Sequence, residues 1–154
     1  MLISYHWMEA HSLDDAFRAS IEGARLSRNA YAYATAAQLA ERALTLWDRV
    51  AEPAAVAGMS HVELLDFTAM SWRNAGEPQR ALATVDLALA EVDATDATAH
   101  ARLLRNKGMM LNVDGRPESI GVFERALAVL GDDGDAMLRA NILGEMAAQY
   151  MVSG

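Results

Sequence analysis

The sequence predicts an all-α protein, a solenoid of antiparallel helical hairpins with about seven helices. Three observations carry that prediction. Hydrophobic residues make up 53 % of the chain, Ala and Leu dominate, and there are only three prolines, the profile of a helical core. Gly76, Gly115 and Gly154 recur at a spacing of 39 residues, a period in the range of stacked helical repeats. Small residues (Ala69, Gly108 and Ala147) stand seven positions before each glycine, and Ala81 and Ile120 stand five positions after the first two. An irregular Ala/Leu-rich bundle also places small residues at close crossings. The recurrence of the Gly-x-Pro turns together with the Ala-Leu pairs favours the solenoid.

The elements follow in order. Residues 2–9 read as the end of a helix. A second helix covers about 14–28, with Ser12 as N-cap, Asp14 and Asp15 in the first turn, and Ala16, Ala19, Gly23 and Leu26 as its inner stripe. A third covers about 31–50, with Ala36, Leu39, Ala43, Leu46 and Trp47 inward. Residues 51–59 read as a connecting loop. Ser60 then caps a helix to about Asn74, with Glu63 completing a capping box. Gly76 and Pro78 make a tight turn, glycine for the left-handed position and proline for the first helical turn. The next helix runs to about Val92 with Leu82, Val85 and Leu89 inward, and another runs to about Val113. A second turn at Gly115 and Pro117 leads to a helix ending near Leu130, Gly131 to Gly134 break it, and a last helix spans about 135–152. The organisation expected is one domain over 1–154, with hairpins at about 13–50, 60–92 and 96–130 and an unpaired helix at 135–152.

Composition excludes several function classes. The net charge is −8 with a single lysine, which argues against direct nucleic-acid binding. No apolar run reaches membrane-spanning length, the start lacks the pattern of a signal peptide, and cysteine is absent, so the expected place is the cytoplasm. His6, His11, His61 and His100 form no metal-ligand spacing. Asp132, Asp133 and Asp135 lack the alternation and distal Glu of a calcium loop. No nucleophile or paired-carboxylate pattern stands out. The expectation is no enzyme, no cofactor and no metal. Trp7, Trp47, Trp72, Tyr31 and Tyr33 read as core at helical spacing, with Tyr33 expected to show its hydroxyl.

Ala69, Gly76, Ala81, Val85, Ala88 and Leu89 resemble the tetratricopeptide repeat, with Val85 where the repeat has its usual aromatic. The neighbouring units are looser. Phe123, Ala126 and Leu127 arrive one residue early, and in the first unit Ala24, Ala36, Ala40, Ala43 and Leu44 keep register while Tyr31 replaces the turn glycine. The period exceeds the usual 34 or so of that repeat. A narrower resemblance rests on Tyr5-His6-Trp7, Tyr31-Ala32-Tyr33-Ala34, Glu41 to Val50, and Gly58 to Leu65. These phrases look like the repeat region of large ATP-binding LuxR-type transcriptional regulators. The resemblance implies a sensor or scaffold segment lying between a nucleotide-switch domain and a helix-turn-helix. No G-x-x-x-x-G-K-[ST] loop and no basic recognition helix stands in this sequence. The alternative is a free-standing adaptor.

In tetratricopeptide arrays the first helix of each hairpin lines the concave groove. The resemblance therefore places Arg18, Arg25, Arg28 and Asn29 there, with Glu63, Asp66, Arg73 and Asn74, then Arg102, Arg105 and Asn112. Six of the chain's thirteen cations would face one groove. Two readings stay open: a groove for an acidic or C-terminal peptide or another domain's acidic face, or Arg stems covering apolar surface with their heads in water. The expected partners are a protein or peptide or other domains of the same polypeptide. The last helix, apolar and ending at a turn glycine, suggests a fragment of a longer protein or a homodimer through Ile142, Met146, Tyr150 and Met151.

Overall fold

A computed structural model describes residues 2–153, with side chains from Ser12 to Met151. Gly154, the third repeat glycine, and the side chains of Tyr5, His6, Trp7 and His11 lie outside the described residues. Among those described there are eight α-helices and no strand: α1 Leu2–Asn29, α2 Tyr33–Leu46, α3 Pro53–Ala57, α4 His61–Asn74, α5 Pro78–Glu91, α6 Ala97–Val113, α7 Ser119–Leu130 and α8 Ala136–Ser153. A 3₁₀ turn at Trp47–Arg49 extends α2. The helices pack mostly as sequential antiparallel neighbours. The chain divides into two compact units, one ending at Gly76 and one beginning at Glu77. The helices of the hairpin expected at 60–92 therefore belong to different units.

In the first unit α1 packs on α2, α2 on α4, and the short α3 on α1. Phe17, Ile21 and Ala24 of α1 meet Ala40 and Ala43 of α2 and Leu64 of α4 in one core cluster. Two expectations for α1 fail. The helix runs unbroken through Ser12, because no glycine or proline interrupts residues 9–14 and Ser and His cost only tenths of a kcal/mol in a helix. Its buried stripe is Phe17, Ser20, Ile21 and Ala24, while Ala19 and Leu26 are exposed. The stripe is turned by one residue because Phe17 and Ile21 carry the larger apolar area. Gly23 does sit at a close crossing, where a Cβ would lie 2.9 Å from Leu39 Cδ1. The expected loop at 51–59 contains α3. Pro53 stands in its first turn, where proline is pre-organised, alanines follow, and Gly58 closes it in the left-handed conformation with φ 64°.

The turns are built as the sequence suggests. Gly76 has φ 81° and Gly115 φ 68°. After α6, the Arg116 N–H donates to the Leu111 carbonyl and the Gly115 N–H to the Asn112 carbonyl, the paired bonds of a Schellman motif. After α1, Ala32 donates to Ser27 and Tyr31 to Arg28 in the same pattern. The left-handed position there is Tyr31, with φ 60°. Tyr31 thus occupies the place of the turn glycine, and α2 starts two residues beyond it. A non-glycine residue in this region costs roughly 1 kcal/mol, and the Tyr31 side chain is 78 % exposed. Tyr31→Gly is expected to stabilise the first unit by up to about 1 kcal/mol, read as a raised urea midpoint.

In the second unit α6 packs against α5, α7 and α8, and α7 against α8. Gly108 lets α6 and α7 approach: a Cβ there would lie 2.6 Å from the Phe123 ring. Two register expectations are corrected. On α7 the buried set is Ser119, Phe123, Ala126 and Leu130, so Ser119 takes the place foreseen for Ile120, which is half-buried. Phe123 sets the face, and the Ser119 hydroxyl is satisfied by donating to the Arg116 carbonyl and accepting from the Gln149 amide. On α8 the side chains turned inward are Leu138, Ile142 and Gln149, with Met146 packed beside them, and Ala147 is exposed. The bulkier residues again choose the face.

Candidate functional site

The second unit carries a hollow of about 470 Å³ lined by α5, α6 and α7. Its geometry begins with caps. The Asp96 carboxylate accepts the Ala99 N–H at 2.9 Å and starts α6. His100, Leu104 and Lys107 then follow at spacings of four and three and share one face. Helix α5 contributes Asp86, Leu89 and Ala90, and α7 contributes Gly121, Val122 and Arg125, with Glu118 at its N-cap. Leu104, Leu89 and Val122 make an apolar floor continuous with the core cluster.

The rim is charged with both signs. The Lys107 ammonium donates to Asp86 Oδ1 at 2.7 Å and ties α6 to α5. Glu118 accepts from Arg116 at 3.2 Å. Its carboxyl is held below the usual glutamate range, first by a backbone hydrogen bond at its own N–H and then by the Arg116 hydrogen bond. Gly121 opens one side: a Cβ there would have no heavy atom within 4 Å.

The residues expected in a concave groove divide between the two units. In the first, the Arg25 guanidinium donates to the Ala57 carbonyl at 2.5 Å and holds α3 against α1. Arg28 lies over the Phe67 ring at 4.7 Å. Arg28, Glu63 and Asp66 come together around a hollow of about 260 Å³ beside Phe67 and Met70. Asn74 lies instead in a hollow with Tyr31 and Tyr33. Arg73 donates to Asn74 Oδ1 at 3.3 Å, and Arg18 and Asn29 are exposed. In the second unit Arg105 is paired with Glu145 at 3.1 Å, Arg102 is half-buried and Asn112 is exposed. Several of these cations are thus engaged in contacts within the fold.

Trp47 and Trp72 are packed as expected, Trp47 edge-on to Phe17 at 5.9 Å and against His61 at 5.0 Å. Tyr31 is not core; it is exposed because it occupies a left-handed turn. Of the four residues expected on a self-association surface, Ile142 is fully buried and Met146 packs on the core cluster, whereas Tyr150 and Met151 are exposed. The outward face of α8 also carries Leu143, an apolar residue legible in the sequence, and Met137, which the sequence reading missed. A period of 3.6 laid on the buried Leu138 and Ile142 would have found Met137.

No family model, curated protein or solved structure matches this chain. Among the described residues no group of three or more His, Asp and Glu side chains is placed to hold a metal ion, and no helix is long and apolar enough to cross a membrane.

Proposed function

We propose that this chain is a non-catalytic helical-repeat interaction module that binds protein, set within a bacterial signal-responsive regulator of the LuxR type that its sequence resembles. The observation that carries the reading is the hollow of the second unit. It joins an apolar floor of Leu89, Leu104 and Val122 to a rim of Asp86, Lys107, Glu118 and Arg125, the anatomy of a protein-recognition surface. Antiparallel hairpins closed by left-handed turns, with small residues at the crossings, support the tetratricopeptide-like reading. The partner suited to this surface is a peptide segment, or a domain of the same polypeptide, that offers one apolar side chain between charged or polar neighbours.

Gly121→Leu tests it. A Cβ at this position meets no heavy atom within 4 Å, so a leucine can be added at the wall of the hollow, and it raises helix propensity by roughly 1 kcal/mol. Screened by fluorescence polarisation against a library of peptides with one apolar residue flanked by charges, the wild-type chain is expected to retain a subset. Gly121→Leu is expected to lose that subset at least tenfold, about 1.4 kcal/mol, while its melting temperature holds or rises. A library from which no binder depends on Gly121 would overturn the reading.

A further inference from the structure

Along its midline the outward face of α8 reads the same in both directions, with the exposed, uncharged Asn141 beside that line on one side. Gly144 is exposed at its centre with open space where a Cβ would be. Four residues to either side stand Ala140 and Ala148, both exposed, and seven residues to either side stand Met137 and Met151, 72 % and 79 % exposed. At 3.6 residues per turn all five lie within about 40° of one line along the helix. Leu143, Ala147 and Tyr150, also exposed, form a single apolar flank on one side of that line.

The face carries no charge. The ionisable side chains of α8 other than Tyr150 are Arg139 and Glu145, and both are half-buried and engaged: Arg139 with the Gly131 carbonyl and Asp132, Glu145 with Arg105. In a chain of net charge −8, two copies repel over most of their surface. A charge-free apolar strip is where they can meet with least opposition. Exposed side chains of this size, contiguous along four turns, mark an association surface.

We propose that α8 is a self-association site, occupied by α8 of a second copy lying antiparallel about a two-fold axis at Gly144. A two-fold interface requires residue i to meet j while j meets i. The palindrome supplies that pairing: Met137 of one copy faces Met151 of the other, Ala140 faces Ala148, and Gly144 faces itself. Glycine and alanine at the centre let the helix axes come close, and the methionines close the two ends. A two-fold axis in the interface plane keeps like flanks together, so Leu143 and Tyr150 of both copies lie on the same side and cover each other. A single helix face makes this a weak pairing, of the class that buries less than about 1,200 Å² in total.

The test uses the whole chain. In sedimentation equilibrium the wild-type weight-average mass is expected to rise toward twice the monomer value with concentration. Gly144→Glu sets two carboxylates against each other on the axis and is expected to hold the mass at the monomer value, with an unchanged or higher melting temperature, since glycine is the poorer helix former. Mixing Gly144→Glu with Gly144→Lys is expected to restore pairing. The chain has no cysteine, so geometry can be read by oxidation: Met137→Cys mixed with Met151→Cys forms disulfide dimers, and each alone does not. A wild-type mass that stays at the monomer value at every concentration, as when another segment of the chain occupies the face, would overturn the proposal. So would Met137→Cys crosslinking to itself.

Discussion

Phe123→Ala is expected to cost the second unit about 3–5 kcal/mol, and to reverse the sign of a second substitution. Phe123 is fully buried on α7, and its ring fills the space left open by Gly108 on α6. In the wild-type chain Gly108→Ala would push a methyl to 2.6 Å from that ring. Overpacking of this kind costs about 1–3 kcal/mol, against a gain near 1 kcal/mol from helix propensity. With Phe123 truncated the clash disappears, the methyl refills part of the cavity, and Gly108→Ala should stabilise. Urea unfolding of the four variants reads the coupling. Additive effects would mean that Gly108 is not where the helices meet.

The second large effect concerns Trp72, which is 2 % exposed on α4. Its indole N–H donates to Glu41 Oε1 on α2 at 2.7 Å. Trp72→Ala is expected to destabilise the first unit by about 3–5 kcal/mol. Glu41→Ala keeps the ring but removes that acceptor, at about 1–3 kcal/mol. Glu41→Gln retains an acceptor and should cost less than Glu41→Ala. Denaturant midpoints followed by circular dichroism separate the three, and equal losses for the two Glu41 variants would discard the hydrogen bond as a source of stability.

Much of the local structure was legible because it is written in near-neighbour chemistry. The Ser60–Glu63 capping box forms, with Glu63 N–H donating to Ser60 Oγ at 3.1 Å and Ser60 N–H donating to the Glu63 carboxylate at 2.7 Å. Gly76 and Gly115 take the left-handed turn positions assigned to them, and Tyr31 takes the third. Gly108 stands at a close crossing, as its repeat position implies. The errors were of a different kind. On α1 the helical spacing of Ala16, Ala19, Gly23 and Leu26 points to one inner stripe, whereas Phe17 and Ile21 face the core. On α7 the repeat register points to Ile120, whereas Ser119 is buried, and a serine has no apolar area to announce its burial.

The candidate site was less legible still. His100, Leu104 and Lys107 share a face of α6 by spacing alone. That Asp86 and Arg125 meet them depends on how α5 and α7 are placed around α6. The α8 palindrome lies in plain sequence, yet it becomes a surface only once Leu138 and Ile142 turn inward and Met137, Gly144 and Met151 outward.

The amino-acid sequence by itself determined that the described chain is helical, where most helices stop, and which turns need a left-handed residue. Helix propensity, capping and glycine's freedom at positive φ act over a few residues and need no partner. Tertiary structure decided which face of α1, α7 and α8 is inside, because burial there is settled by competition among the apolar areas of several helices at once. It also decided that three of the expected groove cations, Arg25, Arg28 and Arg105, engage Ala57, Phe67 and Glu145, since those neighbours lie far along the chain.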